Sequence, residues 1–325
     1  MTMAVEMPEV ACLEEFWASH SSKGPPLDEM IGKLLLDTLG LGNQQVFEIL
    51  YGTKPDFAEF QAWILATAGA PDPVLLDRYH GWLMEQPPGE AAAAQLAAIA
   101  AMPDVLDAAA LAHWDEHGYV ILPDAIAPAE IAAVKALLWE VIGASPDDPE
   151  SWYSARTSGI MVPHFQHPAL EAARRSPRVH KAFAQLWGSE DLWVTVDRIG
   201  FNPPERPGHL FSGSDVHWDA SLARPIPFAT QSVLYLSDTE ADQGAFRCVP
   251  GFHRRIDSWF DALDGADPRA FDFSAEVKHV AGRAGDLIIW RQDLPHAASP
   301  NRSDRPRLAQ YLTYYSPNLE IRRWC

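Results

Sequence analysis

The sequence predicts a mainly β protein with flanking helices and a helical N-terminal extension. Two observations carry that prediction. Between residues 118 and 317 lie eight short strand-like runs broken by Gly and Pro turns; many short strands with such turns indicate a sandwich or barrel, and eight is the number a jelly roll needs. Ahead of them, residues 1–104 carry apolar residues at helical spacing. A chain of 325 residues is long enough for one large domain at 105–325 plus that extension.

Taken in order, DEMIGKLLLDTLG and DFAEFQAWILATAG read as amphipathic helices, punctuated by Pro71, Pro73 and several glycines. Gln86-Pro87-Pro88-Gly89-Glu90 is the best candidate linker, and the alanine-rich EAAAAQLAAIAAM after it reads as a packed or exposed helix. DVLDAAALAHWDEHG is a helix that Gly118 ends as its C′ residue. GYVILP follows as a strand, and Pro128 then opens the helix AEIAAVKALLWEVIG. HPALEAARRSPRVHKAFAQLWG is further helix, interrupted near Pro177. The remaining strands are LWVTVDRIGF, SDVHWD, ATQSVLYLSD, AFRCVPG, EVKHVA, GDLIIWR and RLAQYLTYYSP.

A hydrophobic content of 47% with 12 tryptophans marks a folded globular chain. The net charge of −19 argues against nucleic acid or an anionic membrane as partner and is explained by a solvated acidic surface. Three scattered cysteines (Cys12, Cys248, Cys325) show no metal or redox spacing and suit a reducing cytoplasm. The N-terminal MTMAVEMPEVACLEEFW lacks a basic region and a long apolar run, so no signal peptide is expected there. No stretch approaches the ~18 apolar residues of a membrane span.

His217-Trp218-Asp219, with His296 far downstream, is the most informative chemistry in the chain. On a strand, residues two apart share a face, so His217 and Asp219 can grip one ion and His296 can close the set. Two histidines and a carboxylate on one side of a metal describe the facial triad of non-haem Fe(II) oxygenases, which leaves the other side open for chemistry. The tripeptide alone is weak evidence, because 12 histidines and 25 aspartates give roughly one H-x-D by chance. Indeed His113-Trp114-Asp115 is a second copy. That copy falls in a helix, where residues two apart do not face each other.

Asp286–Trp290 is an apolar strand opened by the turn Gly282-Arg283-Ala284-Gly285, and it leads through Leu294-Pro295 to His296 at the barrel mouth. Arg307 opens the last strand, where alternation puts Arg307, Ala309, Tyr311 and Thr313 on one face. An arginine just inside an apolar barrel needs an anionic partner, and its fork suits a carboxylate. A dicarboxylate that chelates iron at one end and pairs with Arg307 at the other meets both demands.

On these residues the sequence resembles the phytanoyl-CoA dioxygenase family. The resemblance covers about residues 105–316 and rests on His217-x-Asp219, on Asp242-Gln243-Gly244-Ala245-Phe246 leading to Val249-Pro250-Gly251-Phe252-His253, on GDLIIW, and on His296 followed by Arg307. It implies a double-stranded β-helix of the jelly-roll, cupin-like kind and an oxidoreductase dependent on Fe(II), 2-oxoglutarate and O2. By it, His217, Asp219 and His296 match the iron ligands and Arg307 matches the arginine that holds the distal carboxylate of 2-oxoglutarate. Two departures stand out. Phe252 replaces the serine frequent in the PGSH turn, and Ala298 replaces a small polar residue two positions after the distal histidine, so Ser299 or another group is expected to help hold the co-substrate.

Other residues have both a functional and a bland reading. Gln231 and Tyr235 share a face of ATQSVLYLSD and are candidates for the pocket, Gln231 toward the co-substrate and Tyr235 toward the substrate. Arg198 is a candidate for a substrate or co-substrate anion, or for a surface pair beside Asp197. His164 and His167 read first as loop histidines, and His253 and His279 as turn or surface ones. One rival is in plain view: His113-Trp114-Asp115-Glu116-His117 matches the H-x-x-E-H zinc peptidase pattern, with His113 and His117 as ligands and Glu116 as base. Its helix stops at Gly118 and no third ligand is evident. A non-catalytic cupin-like binding protein is disfavoured by Arg307, which simple binding would not need.

The expected activity is oxidation, chiefly hydroxylation, of an unactivated C–H bond in a small metabolite or natural-product intermediate. No basic cradle for a CoA phosphate is visible. The N-terminal helices can cover the pocket, pair two copies as a homodimer or dock a partner, and the sequence does not choose among these.

Overall fold

The computed structural model describes residues 6–324; the first five residues of the N-terminal segment and Cys325 lie outside them. In chain order the elements are α1 (Leu13–His20), α2 (Glu29–Thr38), α3 (Asn43–Gly52), α4 (Phe57–Ala68), α5 (Pro73–Leu83), α6 (Glu90–Ala100) and α7 (Ala108–His117). Next come β1 (Tyr119–Leu122), α8 (Pro128–Ile142), β2 (Met161–Val162), α9 (Pro168–Arg174), α10 (Pro177–Trp187), β3 (Trp193–Val194) and β4 (Ile199–Asn202). The rest are β5 (Thr230–Tyr235), β6 (Phe246–Cys248), α11 (Ile256–Ala262), β7 (Lys278–Val280), β8 (Leu287–Arg291), β9 (His296–Ala298), β10 (Arg307–Tyr311) and β11 (Tyr314–Tyr315).

Six strands make the larger antiparallel sheet, in the order β1-β8-β5-β10-β4-β2. A smaller sheet, β7-β6-β9, is extended by a single pairing of His217 with His296. Both faces of the larger sheet are buried, and the alternation of its strands separates two cores. Leu234, Leu236, Leu287, Ile289 and Leu308 point outward into a cluster with Ile131, Val134, Leu138 and Phe183 from α8 and α10. Val233, Tyr235, Ile288, Trp290 and Ala309 point inward, where they meet Phe246, Cys248 and Trp218 of the smaller sheet and its flanking loop. This is the double-stranded β-helix expected of the sequence. It creates a lined space between two sheets.

The helix ends follow their sequence signals. Asp107 caps α7 through Ala110 N, and Gly118, at φ 76°, closes it in the left-handed region that favours glycine. Pro128 and Pro177 both lie in the first turn of their helices. The N-terminal helices α1–α5 share a core of Phe16, Leu34, Leu35, Val46, Phe60 and Tyr79, into which Trp193 and Tyr315 of the β3–β11 ribbon insert. Arg78 stacks over Trp193 at 4.4 Å and donates to the Leu192 carbonyl at 2.9 Å. The candidate linker 86–90 forms the turn between α5 and α6. Beyond it the helix α6 lies against α10, where Lys181 Nζ donates to the Ala100 carbonyl at 3.2 Å.

Three expected strands differ from the reading above. LWVTVDRIGF is split into β3 and β4 because its backbone bonds are diverted: Val196 N donates to the Asp37 carboxylate at 3.2 Å and Arg198 N to its neighbour Asp197 at 2.7 Å. RLAQYLTYYSP is split into β10 and β11, since the chain leaves the larger sheet at Leu312 to pair with β3. SDVHWD is not a regular strand. It makes one bridge, His217 N to His296 O at 3.0 Å and the reverse bond at 2.9 Å.

Candidate metal centre and active-site cavity

Although residues 214–219 are not a strand, the single bridge sets His217 opposite His296, whose rings lie 5.1 Å apart. Trp218, between His217 and Asp219, turns the other way and is 2% exposed among Phe252, Trp259 and Phe273, with its indole donating to the Asp293 carbonyl at 3.1 Å. That anchor leaves His217 and Asp219 on the cavity side. Phe252, the first departure from the family turn, is thereby a packing residue that locks Trp218 in place.

One ligand atom from each of His217, Asp219 and His296 can be chosen so that all lie within 4.8 Å of one another. His217 Nε2 is 3.3 Å from Asp219 Oδ1, and His296 Nε2 is 3.2 Å from Asp219 Oδ2. The far nitrogens face carbonyls: His217 Nδ1 is 2.6 Å from Asp215 O and His296 Nδ1 is 2.9 Å from Leu294 O. A carbonyl can only accept, so each Nδ1 donates to it, which leaves each Nε2, now hydrogen-bonded to the Asp219 carboxylate, as the atom that would coordinate a metal. Imidazole, imidazole and carboxylate on one side of a point, with outer hydrogen bonds fixing both tautomers, suit a divalent iron ion.

Electrostatics agree with that donor set. Burial pushes the Asp219 carboxyl up, but hydrogen bonds from His217, His296 and Gln231 outweigh it and hold the group well below the usual carboxylate range. His217 is raised above the ordinary imidazole value by its contact with Asp219, against a smaller opposing effect of burial. The two shifts describe one ion-pair cluster that a cation would replace.

All three residues line a cavity of about 480 Å³, together with Gln231, Arg198 and Arg307. Arg307 is 1% exposed at the start of β10, and Tyr311 accepts from its Nη2 at 2.9 Å. Its Nε is buried without a hydrogen-bond partner, and among the described residues no carboxylate lies within ion-pair reach. A buried guanidinium without a counter-ion is costly, so this site fits an anion reaching in from the cavity. The distal carboxylate of 2-oxoglutarate is such an anion.

Gln231 does reach the site, through a different contact from the one expected: its Nε2 donates to Asp219 Oδ2 at 2.8 Å while Trp290 Nε1 donates to its Oε1 at 3.2 Å. Tyr235 does not line the cavity. It lies two residue pairs further along β5, fully buried, where its hydroxyl donates to Val280 O and accepts from Phe246 N. Ser299 is likewise turned away, donating to Ala245 O at 2.9 Å, whereas Ala298 and Thr313 line the cavity. Arg198 stands at the cavity rim, bound to Asp197 at 3.1 Å and to Gln44 of α3.

The other histidines hold the structure. His167 caps α9 through Ala169 N, His253 bonds the Asp115 carbonyl and His279 bonds the Ala241 carbonyl. His164 is in a loop outside the cavity. The peptidase arrangement does not form: the His113 and His117 rings meet edge to face at 4.3 Å at the end of α7, but among the described residues no third ligand joins them. Alternation in the sequence puts Tyr311 on the Arg307 face, but Trp290 and the Asp215 and Leu294 carbonyls carry no such signal. Cross-strand pairing of Gln231 with Trp290, once the register is known, is the signal that finds the first of them.

Comparison with known proteins identifies the family. An ectoine dioxygenase of Bordetella bronchiseptica is 25% identical over 240 residues, covering 66% of this chain and 76% of its own. A methylphosphonate hydroxylase of Gimesia maris is 23% identical over 212 residues, covering 63% and 78%. Among solved structures, the non-haem α-ketoglutarate-dependent carbocyclase SnoK from nogalamycin biosynthesis superposes with a TM-score of 0.48 at 22% identity, covering 67% of this chain and 87% of its own. The family model for phytanoyl-CoA dioxygenase (PhyH) matches residues 114–309, and on that match the chain belongs to the phytanoyl-CoA dioxygenase family of Fe(II)- and 2-oxoglutarate-dependent non-haem iron dioxygenases.

Proposed function

We propose that His217, Asp219 and His296 hold the iron, that Arg307 binds the distal carboxylate of 2-oxoglutarate, and that the enzyme hydroxylates an unactivated C–H bond of a small metabolite or natural-product intermediate. The observation that carries the reading is the convergence of both histidine Nε2 atoms on the Asp219 carboxylate, with each Nδ1 committed to a carbonyl. The oxygenase part is assigned to residues 105–325 and the helical extension to 1–104.

When bound, iron, 2-oxoglutarate and O2 supply the oxidant: 2-oxoglutarate loses CO2, one oxygen atom ends in succinate and the other in the new hydroxyl group. The chain's own residues prepare that chemistry. Asp219 contributes the negative charge of the ligand set, and Gln231 holds one of its oxygens in place. Arg307 and Tyr311 fix the co-substrate's remote end, which orients its other end toward the metal. The inward faces of Val233, Phe246 and Trp290 form an apolar wall that limits water beside the reacting carbon.

Relatives named as an ectoine dioxygenase and a methylphosphonate hydroxylase support a small organic molecule as the target of the chemistry. No helix among the described residues is long and apolar enough to cross a membrane. Screening a compound panel for substrate-stimulated succinate release by the Fe(II)-loaded protein tests the reading. Succinate formation that responds to no compound and persists in His296→Ala would contradict it.

A further inference from the structure

A second chamber, of about 1170 Å³, lies beside the active-site cavity. Its walls come from α1, α2 and α3 and from the link between β3 and β4, and Asp197 and Arg198 line both spaces. The active-site cavity, at about 480 Å³, is at the small end of ligand pockets and must hold the co-substrate as well as the reacting carbon. A larger substrate can therefore place its remainder in this adjoining chamber.

The chamber has the chemistry for an apolar remainder. Phe16, Leu36, Leu41 and Phe165 form buried wall, while Phe47 and Tyr51 stack at 5.7 Å with an interplanar angle of 24°. Tyr51 is 55% exposed, so this aromatic platform still has an open face. The buried acid of the chamber is spoken for: Asp37 accepts from Tyr315 at 2.6 Å and from Val196 N and pairs with Lys33 at 3.7 Å. Arg198 differs. Its Nε faces Asp197 and its Nη1 faces Gln44, but its Nη2 has no acceptor among the described residues.

We propose that the molecule this enzyme oxidises has two parts: a compact end carrying the target C–H in the iron cavity, and a larger apolar, ring-bearing remainder in the chamber built by the N-terminal helices, with an oxygen acceptor between them bound by Arg198. The proposal rests on the iron-site reading above. It gives the helical extension a role in substrate binding, and it makes Arg198 a specificity residue.

The full-length protein loaded with Mn(II) is titrated with 8-anilinonaphthalene-1-sulfonate, a probe with fused rings and oxygen acceptors. One saturable site is expected, with the probe's proton resonances broadened by the nearby Mn(II). Arg198→Ala should weaken it about ten-fold or more, and Phe47→Ala or the exposed Tyr51→Ala about three- to ten-fold. Compounds that stimulate succinate release should displace the probe. An affinity unchanged by either the arginine or the aromatic substitutions, or a bound probe untouched by Mn(II), overturns the proposal. Failure of Mn(II) to bind at all is read separately in the metal titration, and it overturns the iron-site reading together with this one.

Discussion

Gln231 and Trp290 face each other across β5 and β8, and the indole Nε1 of Trp290 donates to Gln231 Oε1 at 3.2 Å. That bond fixes which way the amide points, so its NH2 group donates to Asp219 Oδ2 at 2.8 Å. A cross-strand pair in the larger sheet thus orients the single carboxylate of the metal site. On the proposed assignment, Gln231 positions a ligand and Arg307 takes the co-substrate.

Gln231→Leu should weaken Fe(II) binding about 10- to 100-fold, the usual effect of losing a hydrogen bond to a metal ligand, while the fold is retained. Trp290→Phe should have a smaller effect in the same direction. Anaerobic metal titration with far-UV circular dichroism as the folding control checks both.

His217→Ala and His296→Ala should each abolish tight Fe(II) binding, and His113→Ala and His117→Ala should not. The two His-Trp-Asp copies differ in geometry: one is anchored by buried Trp218 and closed by His296, the other ends a helix. Loss of metal from a folded His113→Ala variant would revive the peptidase arrangement.

Arg307→Ala should raise the 2-oxoglutarate concentration needed for turnover about ten- to a hundred-fold, since a charged hydrogen-bonded contact is worth about 1.5–3 kcal/mol. Iron affinity should change little. Arg307→Lys should recover part of the loss, because a lysine cannot reproduce the planar fork. Isothermal titration with 2-oxoglutarate on the Mn(II)-loaded variants separates co-substrate binding from chemistry.

Metal affinity should fall with pH earlier than an ordinary histidine would impose. His217 is raised above the usual imidazole value by Asp219, and iron needs the neutral ring. Affinity is therefore full above that raised value and is lost as pH drops through it. Asp219 is held well below the usual carboxylate range and stays ionised throughout. Metal titrations across the mildly acidic to mildly alkaline range check the sign, and an affinity that rises as the pH falls would contradict it.

Phe252→Ser should destabilise the protein by about 3–5 kcal/mol, as expected for emptying a fully buried aromatic position. The same change should loosen Trp218 and with it the metal site. Urea denaturation of the metal-free protein measures the first effect.

Much of this was legible in the sequence, for identifiable reasons. The apolar runs in ATQSVLYLSD and GDLIIWR are legible as β5 and β8 because both faces of those strands are buried. The stops at Gly118 and Pro177 follow from backbone chemistry that needs no tertiary context. What escaped depends on partners distant in sequence. Asp37 of α2 draws Val196 out of the expected strand, and nothing near residue 196 announces it. Tyr235 shares the face of Gln231 yet lies beyond the cavity, because alternation gives the face but not the depth along the strand. Ser299 is drawn to the Ala245 carbonyl, leaving Ala298 and Thr313 at the wall.

Anaerobic addition of Fe(II) and then 2-oxoglutarate to the purified protein, followed by visible absorption, tests the central claim most directly. One equivalent of iron should bind, and 2-oxoglutarate should then produce the metal-to-ligand charge-transfer band of a chelated 2-oxo acid. His296→Ala should show no band, and Arg307→Ala should show it only at higher 2-oxoglutarate. Wild-type protein that binds iron without developing the band, or develops it unchanged in His296→Ala, would contradict the assignment of His217, Asp219 and His296 as the iron site.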